Sequence, residues 1–199
     1  MHARFVSALS LAVSLLAAGA TAAQAQMYDP DGRYSGGQPG SRWTMFGGSS
    51  YAGAIARQTV PAPGSHAPGT IIVNTTERRL YLIQENGTAL KYGIGVGRIG
   101  FTWAGTTRVS AKKEWPTWTP PSQMLARRPD LPRFMKGGPE NPLGARAMYL
   151  GSSLYRIHGS NEPETIGQAV SSGCFRLLND DVIDLYSRVR VGAKVIVMR

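Results

Sequence analysis

Asn86-Gly87 sits between two apolar-rich segments, Arg79-Leu80-Tyr81-Leu82-Ile83-Gln84 and Leu90-Lys91-Tyr92-Gly93-Ile94-Gly95-Val96-Gly97. Both turn residues accept the positive φ that a two-residue type I′ loop demands, so the dipeptide commits its flanks to a β-hairpin. A two-residue loop sets Glu85 opposite Thr88, Ile83 opposite Leu90 and Tyr81 opposite Tyr92. The second strand then alternates, with Leu90, Tyr92, Ile94 and Val96 on one side and Lys91, Gly93, Gly95 and Gly97 on the other. Ile71-Ile72-Val73 predicts a strand ahead of a polar turn, and Val195-Ile196-Val197 predicts a closing strand. Between them, Asn179 reads as a helix N-cap with Asp180 and Asp181 in the first turn. Val182, Ile183, Leu185, Tyr186 and Val189 form the helix's core stripe, and Gly192 ends the segment. The expected fold is mainly β, with one or two short helices.

The chain has 199 residues, enough for one domain with a sizeable core and some sequence outside it. Met1-His2-Ala3-Arg4 is positively charged, Phe5 to Ala18 is apolar, and Ala23-Gln24-Ala25 is an A-x-A cleavage pattern. Residues 1–25 therefore read as an export signal. The apolar run is shorter than the roughly 20 residues of a spanning helix, and no Cys follows it for lipid attachment. The product is expected outside the cytoplasm, in the periplasm or cell envelope, without a stable membrane span after cleavage. Residues 26–68, rich in Gly, Ser and Pro, read as a flexible linker, and residues 69–199 as the folded domain. From Trp103 to Leu143 the periodicity breaks at Trp115-Pro116-Thr117-Trp118-Thr119-Pro120-Pro121 and Arg127-Arg128-Pro129-Asp130-Leu131-Pro132-Arg133. Its aromatic and Met content argues for an ordered segment: a long Pro/Trp-rich lid loop over a groove, or a loop covering a sheet edge.

Composition narrows the partners. Hydrophobic residues at 42% exclude a wholly disordered chain. Lys+Arg 22 against Asp+Glu 12, a formal charge of +10, suits anionic partners. Export disfavours nucleic acid and favours an acidic envelope polymer. One Cys excludes an intrachain disulfide, and one Cys with 3 His argues against a zinc site, so no metal or other cofactor is expected.

His2 falls in the signal and His66 in the linker, leaving His158 as the folded region's one histidine, sixteen residues before the lone Cys174. A solitary Cys is commonly a small buried hydrophobe, and a solitary His is commonly structural. As a pair, each beside a glycine and both in an oxidising compartment, they point to nucleophilic catalysis, with the imidazole taking the thiol's proton. Gly173 permits close approach to a reacting carbonyl, so amides near Cys174 are candidates for an oxyanion hole. The group orienting the imidazole is open, a backbone carbonyl such as that of Gly159 being one candidate.

The segment Ile157 to Leu177 resembles the active-site signature of the L,D-transpeptidases: His-Gly-Ser/Thr, a loop, Ser-His-Gly-Cys, then Arg or Asn. The likeness extends to Ile72-Val73-Asn74 with Arg79-Leu80-Tyr81-Leu82, to Asn141-Pro142-Leu143-Gly144 and to Ile166-Gly167, and covers about Thr70 to Met198. Ser172 stands where many members carry a second His. The resemblance implies a curved β-sandwich-like fold and action on peptidoglycan stem peptides. By it, Cys174 attacks the carbonyl of the third stem residue in a tetrapeptide, releasing D-alanine, and the thioester passes to an amine of another stem, joining two diaminopimelates. His158 is then the general base, the Gly173 and Cys174 amides hold the oxyanion, and a carbapenem is expected to acylate Cys174. Arg176 either steers a stem carboxylate or forms a structural ion pair; Ser160 and Ser172 are candidate substrate contacts, although Ser160 and Ser171 also suit turn capping. Competing readings keep the same thiol with water or an envelope protein as acceptor, make the domain a non-catalytic wall-binding module, or make it a cysteine protease.

Overall fold

A computed structural model describes residues 55–199; the expected signal and most of the expected linker lie outside the described residues. The β-prone runs pair as β2 (Ile71–Asn74), β3 (Arg79–Ile83) and β4 (Thr88–Gly93), with β1 (Gln58–Pro61) added antiparallel to β4. The expected linker thus ends before residue 68, because Gln58–Pro61 completes the sheet's edge. Gln-Thr-Val-Pro lacks apolar alternation, and a proline is tolerated at an edge, so nothing local marks this strand.

The hairpin forms, but its register is one residue away from expectation. Leu82 faces Leu90 and Leu80 faces Tyr92, and the Gln84 N–H donates to Thr88 O at 2.8 Å. The loop therefore has three residues, Glu85 to Gly87, of which Gly87 takes φ +72°. Asn86 spends its side chain instead of adopting positive φ: its Oδ1 accepts from Thr88 Oγ1 at 2.5 Å. Core burial selects this register. It puts Leu80 and Leu82 on one face with Leu90 and Tyr92 in the main core, while Tyr81 turns outward and its hydroxyl donates to Glu77.

After β5 (Val96–Gly97) comes β6 (Gly105–Glu114), a ten-residue strand inside the stretch expected to lack periodic structure. Then follow α1 (Ser122–Arg127), β7 (Arg146–Leu150), β8 (Arg156–His158), β9 (Ala169–Ser171), β10 (Phe175–Arg176), α2 (Asn179–Arg188) and β11 (Lys194–Met198). Nine strands are joined in the order β1-β4-β3-β2-β11-β6-β7-β8-β10, and β5 pairs with β9. β6 turns the corner: its first half pairs with β11, its second with β7, and the register shifts between Val109 and Ala111. Such a shift bends a strand, so one long strand carries the chain from one half of the curved sheet to the other.

The main core joins Ile71, Leu80, Tyr92, Ile157, Phe175 and the inner face of α2. Val182, Leu185 and Val189 are buried as expected, whereas Ile183 is 40% exposed. Asn179 is not the N-cap; the helix already includes it, and the cap position is Leu178. Its amide instead accepts from the Ala145 N–H and donates to Ser160 O, at 2.8 and 2.9 Å. Two buried backbone groups with no ladder partner have more need of it than an accessible helix end. At the other end, Lys112 Nζ donates to Tyr186 O and Val189 O, both at 2.6 Å, closing the last turn.

Residues 115–143 pack into a smaller cluster of Trp118, Met124, Leu131 and Leu143. Asn141 anchors it, donating to Pro116 O and Lys136 O and accepting from the Leu143 N–H.

One titrating group under α2 affects stability. Burial raises the Asp181 carboxyl to about 6, partly offset by Arg57 at 3.6 Å. Its stabilising contribution is present below the unfolded value near 4 and is lost as pH rises through about 6, on the order of 2 kcal/mol. Asp181→Asn should therefore melt higher than the parent at pH 7.5, with the gap closing toward pH 4. A gap that widened on acidification in thermal melts would contradict this assignment.

Candidate active site

β8 and β10 lie side by side and parallel, with Ile157 opposite Phe175 and His158 opposite Arg176. Ile157 and Phe175 point into the core. Alternation then gives His158 and Arg176 the opposite face, and Cys174, two residues before Arg176, shares it. His158 and Cys174 line one cleft of about 390 Å³. The sheet side adds Tyr155, Arg156 and Ser172; residues 115–143 add Trp118, Met124 and Arg127 as the facing wall.

His158 is 1% exposed, and its Nδ1 lies 2.6 Å from Gly159 O. A carbonyl only accepts, so Nδ1 carries the proton of the neutral ring and Nε2 keeps the lone pair. Cys174 is partly exposed, with Sγ 3.7 Å from Leu154 O. Gly159 also lies against Gly144 and Ala145, and an added Cβ would collide with the Asn179 amide oxygen.

The backbone before Cys174 is tightly held. Gly173 has φ +108°, and a Cβ there would come within 2.5 Å of the Tyr155 ring. Its N–H donates to Ser171 Oγ at 3.1 Å, and Ser171 Oγ donates to Cys174 O at 2.6 Å. The Gly173 amide, one of the two expected to hold an oxyanion, is thus engaged by Ser171. The Gly173 carbonyl accepts from Trp103 Nε1 at 3.1 Å, and the Trp103 ring stacks on Tyr155 with centroids 4.8 Å apart.

Arg176 resolves toward the ion pair. Its guanidinium is 3.2 Å from Glu162 Oε2, and the residue is 1% exposed despite bordering the cleft. Ser160 does not border the cleft; its hydroxyl accepts the Glu162 N–H at 3.0 Å, a turn cap. Ser172 does border it, with Arg98 Nη1 reaching its hydroxyl at 3.4 Å. Among the described residues no group of three or more His, Cys, Asp or Glu could hold a metal ion.

Sequence reasoning missed Trp103, Tyr155, Arg156, Arg127, Glu162 and Asn179. Arg127 and Arg156 are marked only by the cleft they line, and the others by partners distant along the chain, as Trp103 is by Gly173, so no local spacing reveals them. Glu162 offers the sharpest check. Glu162→Ala removes the carboxylate paired with the buried Arg176 guanidinium and should cost about 3 kcal/mol in urea unfolding; a change below about 0.5 kcal/mol, the range of surface substitutions, would show that the pair is not structural.

The YkuD family model, an L,D-transpeptidase catalytic domain, matches residues 68–197. Probable L,D-transpeptidase YbiS of Escherichia coli (strain K12) is 41% identical over 134 residues, 63% of this chain and 43% of that protein. Putative L,D-transpeptidase YkuD of Bacillus subtilis (strain 168) is 33% identical over 155 residues, 76% of this chain and 81% of that protein. The fold is similar to that of L,D-transpeptidase 3 from Mycobacterium tuberculosis, solved in complex with a faropenem-derived adduct, with TM-score 0.54 and 18% identity over 65% of this chain and 60% of that one. The chain spans less than half the length of the Escherichia coli relatives it matches. With the profile covering the sheet from its first core strand through its last, and with both His158 and Cys174 inside it, the chain belongs to the L,D-transpeptidase catalytic-domain family.

Proposed function

We propose that this protein is an exported cysteine transpeptidase acting on peptidoglycan stem tetrapeptides. The observation that carries the reading is the cleft: it holds Cys174 and His158, is flanked by Arg127 and Arg156, and has no carboxylate among its lining residues. A thiol and an imidazole supply acyl transfer, and cations without acids suit a substrate bearing free carboxylates. Family membership supports the same reaction class. No helix among the described residues is long and apolar enough to cross a membrane, and residues 1–25 carry the export assignment.

In this reading Nε2 of His158 takes the Cys174 thiol proton as Sγ attacks the carbonyl of the third stem residue. The negative charge develops on that carbonyl oxygen, which the Cys174 N–H faces. Collapse breaks the amide bond to the terminal D-alanine, whose nitrogen leaves with the proton from His158, and a thioester remains. An amine of a second stem attacks the thioester and gives its proton to His158. The new amide forms, and the thiol is regenerated. Gly159 O keeps the imidazole in the tautomer this requires, and Arg176 acts only by holding the β10 end of the site through Glu162.

Purified tetrapeptide muropeptides incubated with the protein should yield cross-linked dimers and free D-alanine by mass analysis, and Cys174→Ala should yield neither. Tripeptide without dimers would reassign the enzyme as a carboxypeptidase. Product only with an added envelope protein would make that protein's amine the acceptor, and wall binding without turnover by the parent protein would leave a wall-binding module. Arg156→Gln should raise KM tenfold or more with little change in kcat, the size of one charge-assisted hydrogen bond.

A further inference from the structure

We propose that Trp103 is a positioning residue that aims the Cys174 N–H at the developing oxyanion by holding the Gly173 carbonyl. This rests on the reading above, in which Cys174 forms a thioester.

The Gly173 carbonyl and the Cys174 N–H belong to one planar trans peptide unit and point in opposite directions. Whatever grips the oxygen therefore also sets the direction of the N–H. Trp103 Nε1 grips it at 3.1 Å. The planes on either side are held by another residue: Ser171 Oγ accepts the Gly173 N–H and donates to Cys174 O. Three successive peptide planes are thus fixed by two side chains, and the central one, the plane with the reacting residue's amide, depends on the indole. Ser171 has taken the Gly173 N–H, so the charge on the tetrahedral oxygen falls to the Cys174 N–H. A carbonyl that accepts a hydrogen bond polarises its own peptide unit, which makes that N–H a stronger donor.

The indole is itself fixed. It stacks on Tyr155 at 4.8 Å with 12° between planes and tilts against Phe175 at 5.6 Å. Phe175 is buried in the core, and Tyr155 fills the space that a side chain at residue 173 would take. The clamp therefore runs from core to cleft wall to the peptide preceding the nucleophile. A donor preorganised in this way costs no reorganisation as charge develops.

Trp103→Phe keeps an aromatic ring in the stack and removes the donor. Three readouts separate aiming from mere structure: tetrapeptide turnover, the acylation rate of Cys174 by a carbapenem followed by intact mass, and alkylation by iodoacetamide, which forms no oxyanion. Removing an oxyanion donor outright costs about 10²–10³ in rate, so a misaimed one should slow kcat and acylation roughly 10- to 100-fold, with KM and alkylation within twofold of the parent. Benzothienylalanine at position 103, which replaces only the ring N–H with sulfur, should reproduce that profile even if the Phe variant folds poorly. Acylation and kcat at the parent rate in either variant would overturn the proposal, as would alkylation falling in step with acylation. Turnover that survives Cys174→Ala would instead overturn the thioester reading itself.

Discussion

The pairing of β8 with β10 is the constraint on which the rest of the site depends. Ile157 and Phe175, partners in that ladder, are both sealed in the core. Burying two large apolar side chains contributes about 1.5–3 kcal/mol each, which offsets the entropy of closing the loop between the two strands. Because side chains alternate, fixing one face of this pair fixes the other. The residues driven to the opposite face are His158 and the end of the segment bearing Cys174, so the hydrophobic core and the chemistry are two sides of one register. A one-residue slip of β8 would turn the imidazole into the core and Ile157 into the cleft, and a slip of β10 would do the same to Arg176 and Phe175.

Buried polar groups refine what that register positions. Asn179 joins the Ala145 amide to the Ser160 carbonyl, Asn141 ties Leu143 to Pro116 and Lys136, and Glu162 pairs with Arg176. Each satisfies donors or acceptors that would otherwise cost about 1–3 kcal/mol, and each links segments distant in sequence. Their common effect is to hold the turn after His158, the start of the facing wall and the base of α2 in one arrangement. The backbone leading to Cys174 is held in a comparable way by Ser171, Trp103 and Tyr155.

The cleft's electrostatics follow from what has been excluded from it. Among the described residues several arginines are engaged by carboxylates, as Arg188 is by Asp184 and Arg128 by Asp130. Around the thiol the balance differs, since Arg127 and Arg156 border the site and no acid does. In the mouth of a cleft such a bias is less screened than on an open surface.

How much of this the sequence carried depends on the distance over which each signal acts. Local patterns were legible: the β2, β3 and β4 strands, the closing strand, the helix near residue 180, and His158 and Cys174 as the candidate pair that the fold brings to one cleft were all visible as short patterns or as the only residues of their kind in the folded region. What was illegible needed partners from elsewhere. β1 and β6 carry few buried side chains and exist because β4, β11 and β7 offer them hydrogen bonds; the hairpin register followed core burial over loop preference; Asn179 left its cap to serve Ala145 and Ser160. By itself, then, the sequence determined which residues can do chemistry and which segments can be strands, because those are properties of side chains and near neighbours. Only the tertiary structure decided that Arg176 faces Glu162, that the Gly173 amide is engaged by Ser171, and that an indole seventy residues upstream holds the peptide next to Cys174. Hydrogen bonds are directional and short, so their partners are set only once the chain has folded.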